Sequence, residues 1–185
     1  PVFPSYDLQR QFDVMRAVSA RTEIPLPRVR WVEPTGDVLG VPFMVMDRVE
    51  GQVPVDNPPY VFGGWLLDMS REEQAALQQA SVEVLAAVHA IEDVEAVVAP
   101  LPGPAGQSNL RRHFETERAY YEWTQQHDGL RIPVLDDAFA WIEEHWPAEP
   151  SPDVVCWGDS RIGNIIYDGT RPVGVLDWEM AVPAP

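Results

Sequence analysis

Apolar residues recur near the start of the chain at Leu8, Phe12, Met15 and Val18, close to the spacing of one helical face. That pattern predicts a helix over residues 5–20, with Ser5 available to cap it and Pro25 and Pro27 ending the region. The period then changes. Residues 28–33 and 41–48 predict two strands joined by a Pro-Thr-Gly-Asp turn. The run Val41-Pro42-Phe43-Met44-Val45-Met46 is apolar on both faces, as in a buried strand, and Glu50-Gly51 breaks it. The proline-rich residues 54–60 read as a linker between a small first lobe, residues 1–53, and a larger second one, residues 54–185.

Ser70-Arg71-Glu72-Glu73 forms a capping box, in which the hydroxyl and the third-residue carboxylate serve each other's backbone donors. The helix it opens carries an apolar stripe at Leu77, Val84, Leu85, Val88 and Ile91, with His89 at its end read as a packing histidine. A Pro/Gly cluster over residues 100–106 precedes a helix over residues 109–126. A further helix repeats apolar residues at Leu135, Phe139, Ile142 and Trp146, with Asp136 and Asp137 near its dipole-favoured start. The chain closes on short apolar strands. One is Val154-Val155-Cys156, and another is Ile165-Ile166-Tyr167. The Asp168-Gly169 turn then leads into a return strand, residues 173–176. The fold class expected is α+β.

Composition narrows the possible partners. The formal net charge of −16 argues against nucleic acid, whose phosphates need Lys and Arg. An acidic surface suits a cationic substrate, and it equally serves solubility. Cys156 is the only cysteine, so no internal disulfide or cysteine metal site is available, and its apolar neighbours suggest a buried strand thiol. No apolar run approaches membrane-spanning length and no signal peptide opens the chain, so no membrane partner and a cytoplasmic location are expected. Without an initiator Met, and ending just after Asp177, the sequence is expected to be a piece of a longer protein.

The chemistry concentrates near the end. Asp159 sits in a tight turn after Trp157-Gly158, Asn164 follows five residues later, and the return strand delivers Asp177. The hairpin would bring Asn164 and Asp177 onto neighbouring strands near one end. Phosphoryl transfer from a nucleotide needs three such side chains: a carboxylate to orient the acceptor hydroxyl, and an amide oxygen and a second carboxylate to hold magnesium against the phosphates. Plainer roles exist for each. Asp159 could satisfy its own turn and Asn164 could cap a strand end. Arg161 could anchor the loop or steer phosphate, and Glu179 could be solvated or reach the metal site. The histidines at 113, 127 and 145 show no ligand spacing. The Trp and Tyr residues between 120 and 146 suit a core or the floor of an acceptor pocket.

The segments WGDSRIGNIIYD and VLDWEMA resemble the catalytic loop and metal-binding segment of the aminoglycoside phosphotransferase family, small-molecule kinases similar also to choline kinases. FMVMDRVEG resembles the family's last N-terminal-lobe strand running into the hinge, and VLAAVHAI its Leu-x-x-Leu-His helix end. The chain is similar in particular to a bacterial branch resembling the kinase domain of acyl-CoA dehydrogenase fusion proteins. The resemblance implies a protein kinase-like two-lobe fold, with a partial N-terminal lobe and a mainly helical C-terminal lobe. It implies ATP and Mg²⁺ as cofactors and a small-molecule hydroxyl acceptor. Asp159 would be the catalytic base, Asn164 and Asp177 the metal ligands, and Met46, Asp47 and Val49 the hinge, with the Asp47 and Val49 backbone pairing with adenine.

Three departures from the pattern matter. Trp157 stands where the family usually has His, and Gln11 where the first helix usually carries a Glu. The family's Gly-rich nucleotide loop and phosphate-binding Lys would precede residue 1, so the stretch alone is expected to be weak or inactive. Other readings are an inactive nucleotide-binding relative and a hydrolase using Asp159 and Asp177 as paired carboxylates. Aminoglycosides, other antibiotics, hydroxyacyl thioesters and choline-like amines remain open as acceptors.

Overall fold

The computed structural model describes residues 3–185. Helix α1, Leu8–Arg21, is capped by Asp7, whose side chain accepts from the Arg10 amide at 2.9 Å, so the cap lies two residues after Ser5. The helix buries Val14, Met15 and Val18 against a two-stranded antiparallel sheet, β1, Val29–Glu33, and β2, Phe43–Met46. Strand β2 is not buried on both faces as its composition suggested. Val41, Val45 and Met46 are exposed. A sheet of two strands covers one face with α1, and no described element covers the rest of β2.

A short helix α2, Trp65–Asp68, leads to α3, Arg71–His89, which starts at the expected capping box with both reciprocal bonds in place. Leu77, Val84 and Val88 of α3 lie in the core with Val155, Tyr167, Val175 and Trp178. His89 is exposed in the last turn rather than packed. The position follows Val88, and a helix turns about 100° per residue, so it points away from the face that Val88 buries. One turn of helix, α4, Val94–Val97, follows.

Helix α5, Asn109–Asp128, and α6, Pro133–Glu144, lie beside one another. Phe139 of α6 meets Phe114 and Tyr121 of α5 at 5.6 and 5.7 Å, and Arg111 and Arg118 both donate to Glu143 at 2.6 Å. Pro133 occupies the first turn, where its missing N–H costs nothing. The predicted stripe is only partly used. Leu135 and Ile142 are each 38 % exposed, and α6 buries no residue fully.

The end of the chain forms two further antiparallel pairs: β4, Ile165–Asp168, with β5, Arg171–Val175, and β3, Val154–Cys156, with β6, Val182–Ala184. The Asp168-Gly169 hairpin forms as its residues require, Gly169 taking the left-handed turn conformation. Strand β6 has no counterpart in the sequence reading. Its three residues, Val-Pro-Ala, are too few and too Pro-interrupted to announce a strand, and they pair because β3 offers them an edge. The Cys156 thiol is half-buried in β3 and burial pushes its pKa up, which suits an inert strand residue.

The core assignment gives a direct stability test. Val88→Ala should cost about 2 kcal/mol in urea unfolding, whereas Leu135→Ala should cost under about 1 kcal/mol. Equal losses at the two positions would show that α6 belongs to the main core.

Candidate active site

The β4–β5 hairpin sets the site. Ile165 pairs with Val175, and the Leu176 amide donates to the Asn164 carbonyl at 2.8 Å, so the register runs one step past both strands. Asn164 closes a single 3₁₀ turn, Ile162–Asn164, and Asp177 follows directly after Leu176. The hairpin thus brings the two proposed ligands to one end.

Asn164 is buried, and its side chain is fully committed on one side. Nδ2 donates to both the backbone O and Oδ2 of Asp159, each at 2.9 Å. Its Oδ1 accepts no hydrogen bond among the described residues. Asp159 Oδ2 takes a second donor, Arg161 Nε, at 2.9 Å. The carboxylate is therefore held by one oxygen, while Oδ1 has no partner among the described residues. Gly158 permits the turn, with φ of +99° and room for no side chain, since a Cβ there would lie 2.6 Å from Met180 Cβ and O.

Trp157 stands just before the Gly158 turn. Its ring is buried, and Nε1 donates to the Leu176 and Asp177 carbonyls at 2.9 and 3.0 Å. It ties the loop before Asp159 to the segment that carries Asp177. Trp178 fills the space beneath, 5.8 Å from Trp157 ring to ring. Asp177 itself adopts φ of +60°, a left-handed conformation uncommon outside glycine, held by these flanking contacts.

The electrostatics are acidic. Burial, and after it the charge of Asp159, pushes the Asp177 pKa up, with Arg161 opposing. Glu179 is likewise pushed up, by burial and then by Asp177 and Asp159. Three carboxylates thus feel one another, and neither Asp177 nor Glu179 makes an ion pair among the described residues. Sequence reasoning treated Glu179 as a solvated residue or a metal-site neighbour. It is exposed, yet it shares the acidic field. The chain contains no lysine, so any cationic help from its own side chains must come from arginine. Among the described residues no group of three His, Cys, Asp or Glu side chains is arranged to hold a metal ion. One carboxylate and one free amide oxygen are a partial set of hard oxygen donors, of the kind that suits magnesium completed by phosphate oxygens.

The proposed hinge residues lie at the end of β2. The Asp47 amide already donates to the Arg28 carbonyl at 2.9 Å, and its carboxylate is clasped by Arg30 at 2.7 Å through both oxygens. The Asp47 N–H is therefore not free for a ligand, because it completes the β1–β2 pairing. The Val49 N–H has no partner among the described residues. Val49 packs beside the hairpin, where a Cβ on Gly174 would lie 3.4 Å from its Cγ1. Met46 is exposed on the strand's last position. The proline-rich stretch after it is not a loose tether. Gln52 and Tyr167 exchange backbone hydrogen bonds at 2.8 Å in both directions, and Pro54 is buried.

Two cavities flank the loop. A groove of about 420 Å³ runs from Ser160, Arg161 and Ile162 along α3. A larger one of about 880 Å³ lies on the Glu179–Met180 side, with Gln11 of α1 and the stacked Tyr120 and Trp123 of α5 on its walls. His127 and His145 bond to carbonyls within their own turns, which agrees with their lack of ligand spacing.

The model of the APH phosphotransferase enzyme family matches residues 3–185. The chain belongs to this phosphotransferase family. It is 25% identical over 182 residues to acyl-CoA dehydrogenase family member 11 of Rattus norvegicus, covering 96% of this chain and 21% of that protein. The chain therefore spans about a fifth of the length of such a curated relative. Among solved structures, a candidate aminoglycoside phosphotransferase from Ralstonia eutropha superposes with a TM-score of 0.69 at 24% identity, over 95% of this chain and 50% of that one. A thermostable mutant of aminoglycoside phosphotransferase APH(4)-Ia, in a ternary complex with AMP-PNP and hygromycin B, gives 0.60 at 18%, over 95% and 57%. These likenesses establish an aminoglycoside phosphotransferase-type, protein kinase-like fold. No helix of the described residues is long and apolar enough to cross a membrane.

The raised Asp177 pKa has a stability consequence. A carboxyl whose folded-state pKa is raised opposes folding when ionised, so its cost is present at neutral pH and relieved as pH falls through that pKa. In metal-free buffer, Asp177→Asn should raise Tm by roughly 1–3 °C at pH 7, and the gap should close under acid conditions. A lower Tm for the Asn variant at neutral pH would show that the charge is compensated.

Proposed function

We propose that this chain carries the catalytic loop of an ATP-dependent phosphotransferase that moves the γ-phosphoryl group to a hydroxyl of a small molecule. The observation that carries the reading is the orientation of Asp159. Two donors hold Oδ2, and Oδ1 is left free to accept an acceptor hydroxyl's hydrogen bond and, late in transfer, its proton. Asn164 performs two tasks with one amide, steadying Asp159 through Nδ2 and offering Oδ1 as a ligand. Asp177 supplies the carboxylate for the metal. Asn164 and Asp177 would hold magnesium, which would neutralise charge on the transferring group. The carboxylates of Asp177 and Glu179, which form no ion pair among the described residues, support that assignment, since a site built for a cation carries negative charge that the protein leaves uncompensated.

The division of labour follows the expected lobes. Residues 1–53 would supply part of the nucleotide lobe and the hinge, and residues 54–185 the catalytic lobe. With the Asp47 amide already used, the Val49 amide is the hinge donor we assign to adenine. The aromatic and acidic cavity bordered by Tyr120, Trp123 and Glu179 is the acceptor space we assign. One feature favours a second reading, a relative that binds nucleotide without turnover: Gln11 is a neutral amide and cannot form the ion pair of the family's helix glutamate.

The test is steady-state transfer from ATP by the full-length protein, with hygromycin B, a choline-like amine and a hydroxyacyl thioester as acceptors. Asp159→Asn should slow transfer at least about a hundredfold while nucleotide still binds. Asp177→Ala should abolish magnesium-dependent turnover. Trp157→His should stay within roughly tenfold, about 1.4 kcal/mol of barrier. Full activity in Asp159→Asn would overturn the assignment of the base. Magnesium-dependent nucleotide binding with no transfer to any hydroxyl would favour the second reading.

A further inference from the structure

Asp56 carries no motif, lies on the exposed part of the proline-rich stretch, and touches the site through one residue. Its Oδ2 accepts from Arg161 Nη1 at 2.6 Å. The same guanidinium donates through Nε to Asp159 Oδ2 at 2.9 Å. A single arginine therefore bridges two carboxylates with different nitrogens, one in the site and one outside it.

The geometry around this bridge is built rather than incidental. The exchanged bonds between Gln52 and Tyr167 fix the chain four residues before Asp56, and buried Pro54 fixes it again two residues before. Asp56 is also paired with Pro59 in an isolated bridge. The guanidinium lies over Gly163, where a Cβ would sit 2.9 Å from Arg161 Nη1 and 3.5 Å from the Pro54 carbonyl. Gly163 thus leaves the space through which Arg161 reaches Asp56. The Arg161 amide meanwhile donates to the Asp159 carbonyl at 2.9 Å, holding the near end of the side chain.

We propose that Asp56 is a positioning residue for phosphoryl transfer: it anchors the far end of Arg161 so that Nε stays on Asp159 Oδ2 and Oδ1 faces the acceptor hydroxyl. The proposal rests on the reading of Asp159 as the base. An arginine side chain has several rotatable bonds, and one anchored only at its root samples many directions. Fixing the guanidinium at a second point restricts Nε to the Asp159 side. Arg161 and Asp56 are both exposed, with side chains 43% and 58% accessible, so their pair adds little to folding stability and its effect falls on orientation. The anchor also lies seven residues after Val49, on the stretch that leads from the hinge to the catalytic loop.

The test uses the full-length protein, with release of ADP from magnesium–ATP and water as acceptor. Asp56→Ala should lower kcat about tenfold with the KM for ATP within about twofold, and Asp56→Glu should recover most of the loss. The double variant Asp56→Ala/Arg161→Ala should be no slower than Arg161→Ala alone, because Asp56 acts through Arg161. The Tm of Asp56→Ala should stay within about 2 °C of the parent. A kcat within twofold of the parent, or additive losses in the double variant, would overturn the proposal. Crystal structures of the parent and Asp56→Ala decide it independently of turnover. The Arg161–Asp159 contact should be lost or split between conformers in the variant, and its retention at 2.9 Å would overturn the proposal. If Asp159→Asn abolishes turnover while Asp56→Ala does not affect it, only the positioning role fails. If Asp159→Asn retains full turnover, the reading of the base fails first.

Discussion

The buried amide of Asn164 is the interaction on which the site depends. It is the one polar residue buried in the core of the described chain, and a buried amide left unpaired costs on the order of 1–3 kcal/mol. Asp159 removes the donor's share of that cost by accepting from Nδ2 through two oxygens, and the Asn164 backbone carbonyl accepts from Leu176 in turn. The loop before Asn164 and the strand before Asp177 are therefore fixed by the same residue. Any shift of the β4–β5 register would break the Leu176 bond and carry Asp177 away from Asp159.

Around that amide the protein holds negative charge that its own cations do not neutralise. Arg161 answers Asp159, but no described cation forms an ion pair with Asp177 or Glu179, and burial and mutual repulsion push both pKa values up. Such a cluster is a poor choice for folding alone and suits the cation and phosphates of the proposed reaction. The tryptophans supply the rigidity that lets the chain tolerate it. Trp157 donates to the carbonyls on both sides of the Asp177 Cα, and Trp178 fills the core below, so Asp177 is kept in a left-handed conformation by its neighbours.

The rest of the fold delivers this arrangement. Helix α3 buries its stripe against β3 and β5, and the Ser81 hydroxyl meets the Tyr167 hydroxyl at 2.7 Å across the interface. The proline-rich stretch clips onto β4 instead of forming a loose tether, which sets Val49 next to the hairpin. Elsewhere the described elements are less enclosed. Strand β2 and helix α6 both present apolar residues to solvent, since neither has a second layer over its outer face.

Much of this was legible in the residues. The first helix, expected over 5–20 and found over 8–21, the capping box at Ser70, and the Asp168-Gly169 hairpin that carries Asn164 and Asp177 to one end follow from local rules. Helical period, reciprocal capping, turn chemistry and strand alternation act between residues close in sequence. Burial was not legible for β2, α6 or His89, because apolar composition states what a residue prefers and not whether a neighbour exists to cover it. Strand β6 was invisible since pairing partners 26 to 30 residues apart leave no trace in three residues. The spent amide of Asp47 and the reach of Asp56 to Arg161, 105 residues away, are the same case. Sequence determined which groups could do chemistry. Only the tertiary structure decided which oxygen of Asp159 is held and which is free, because that choice is made by contacts between segments whose order along the chain carries no information about their distance.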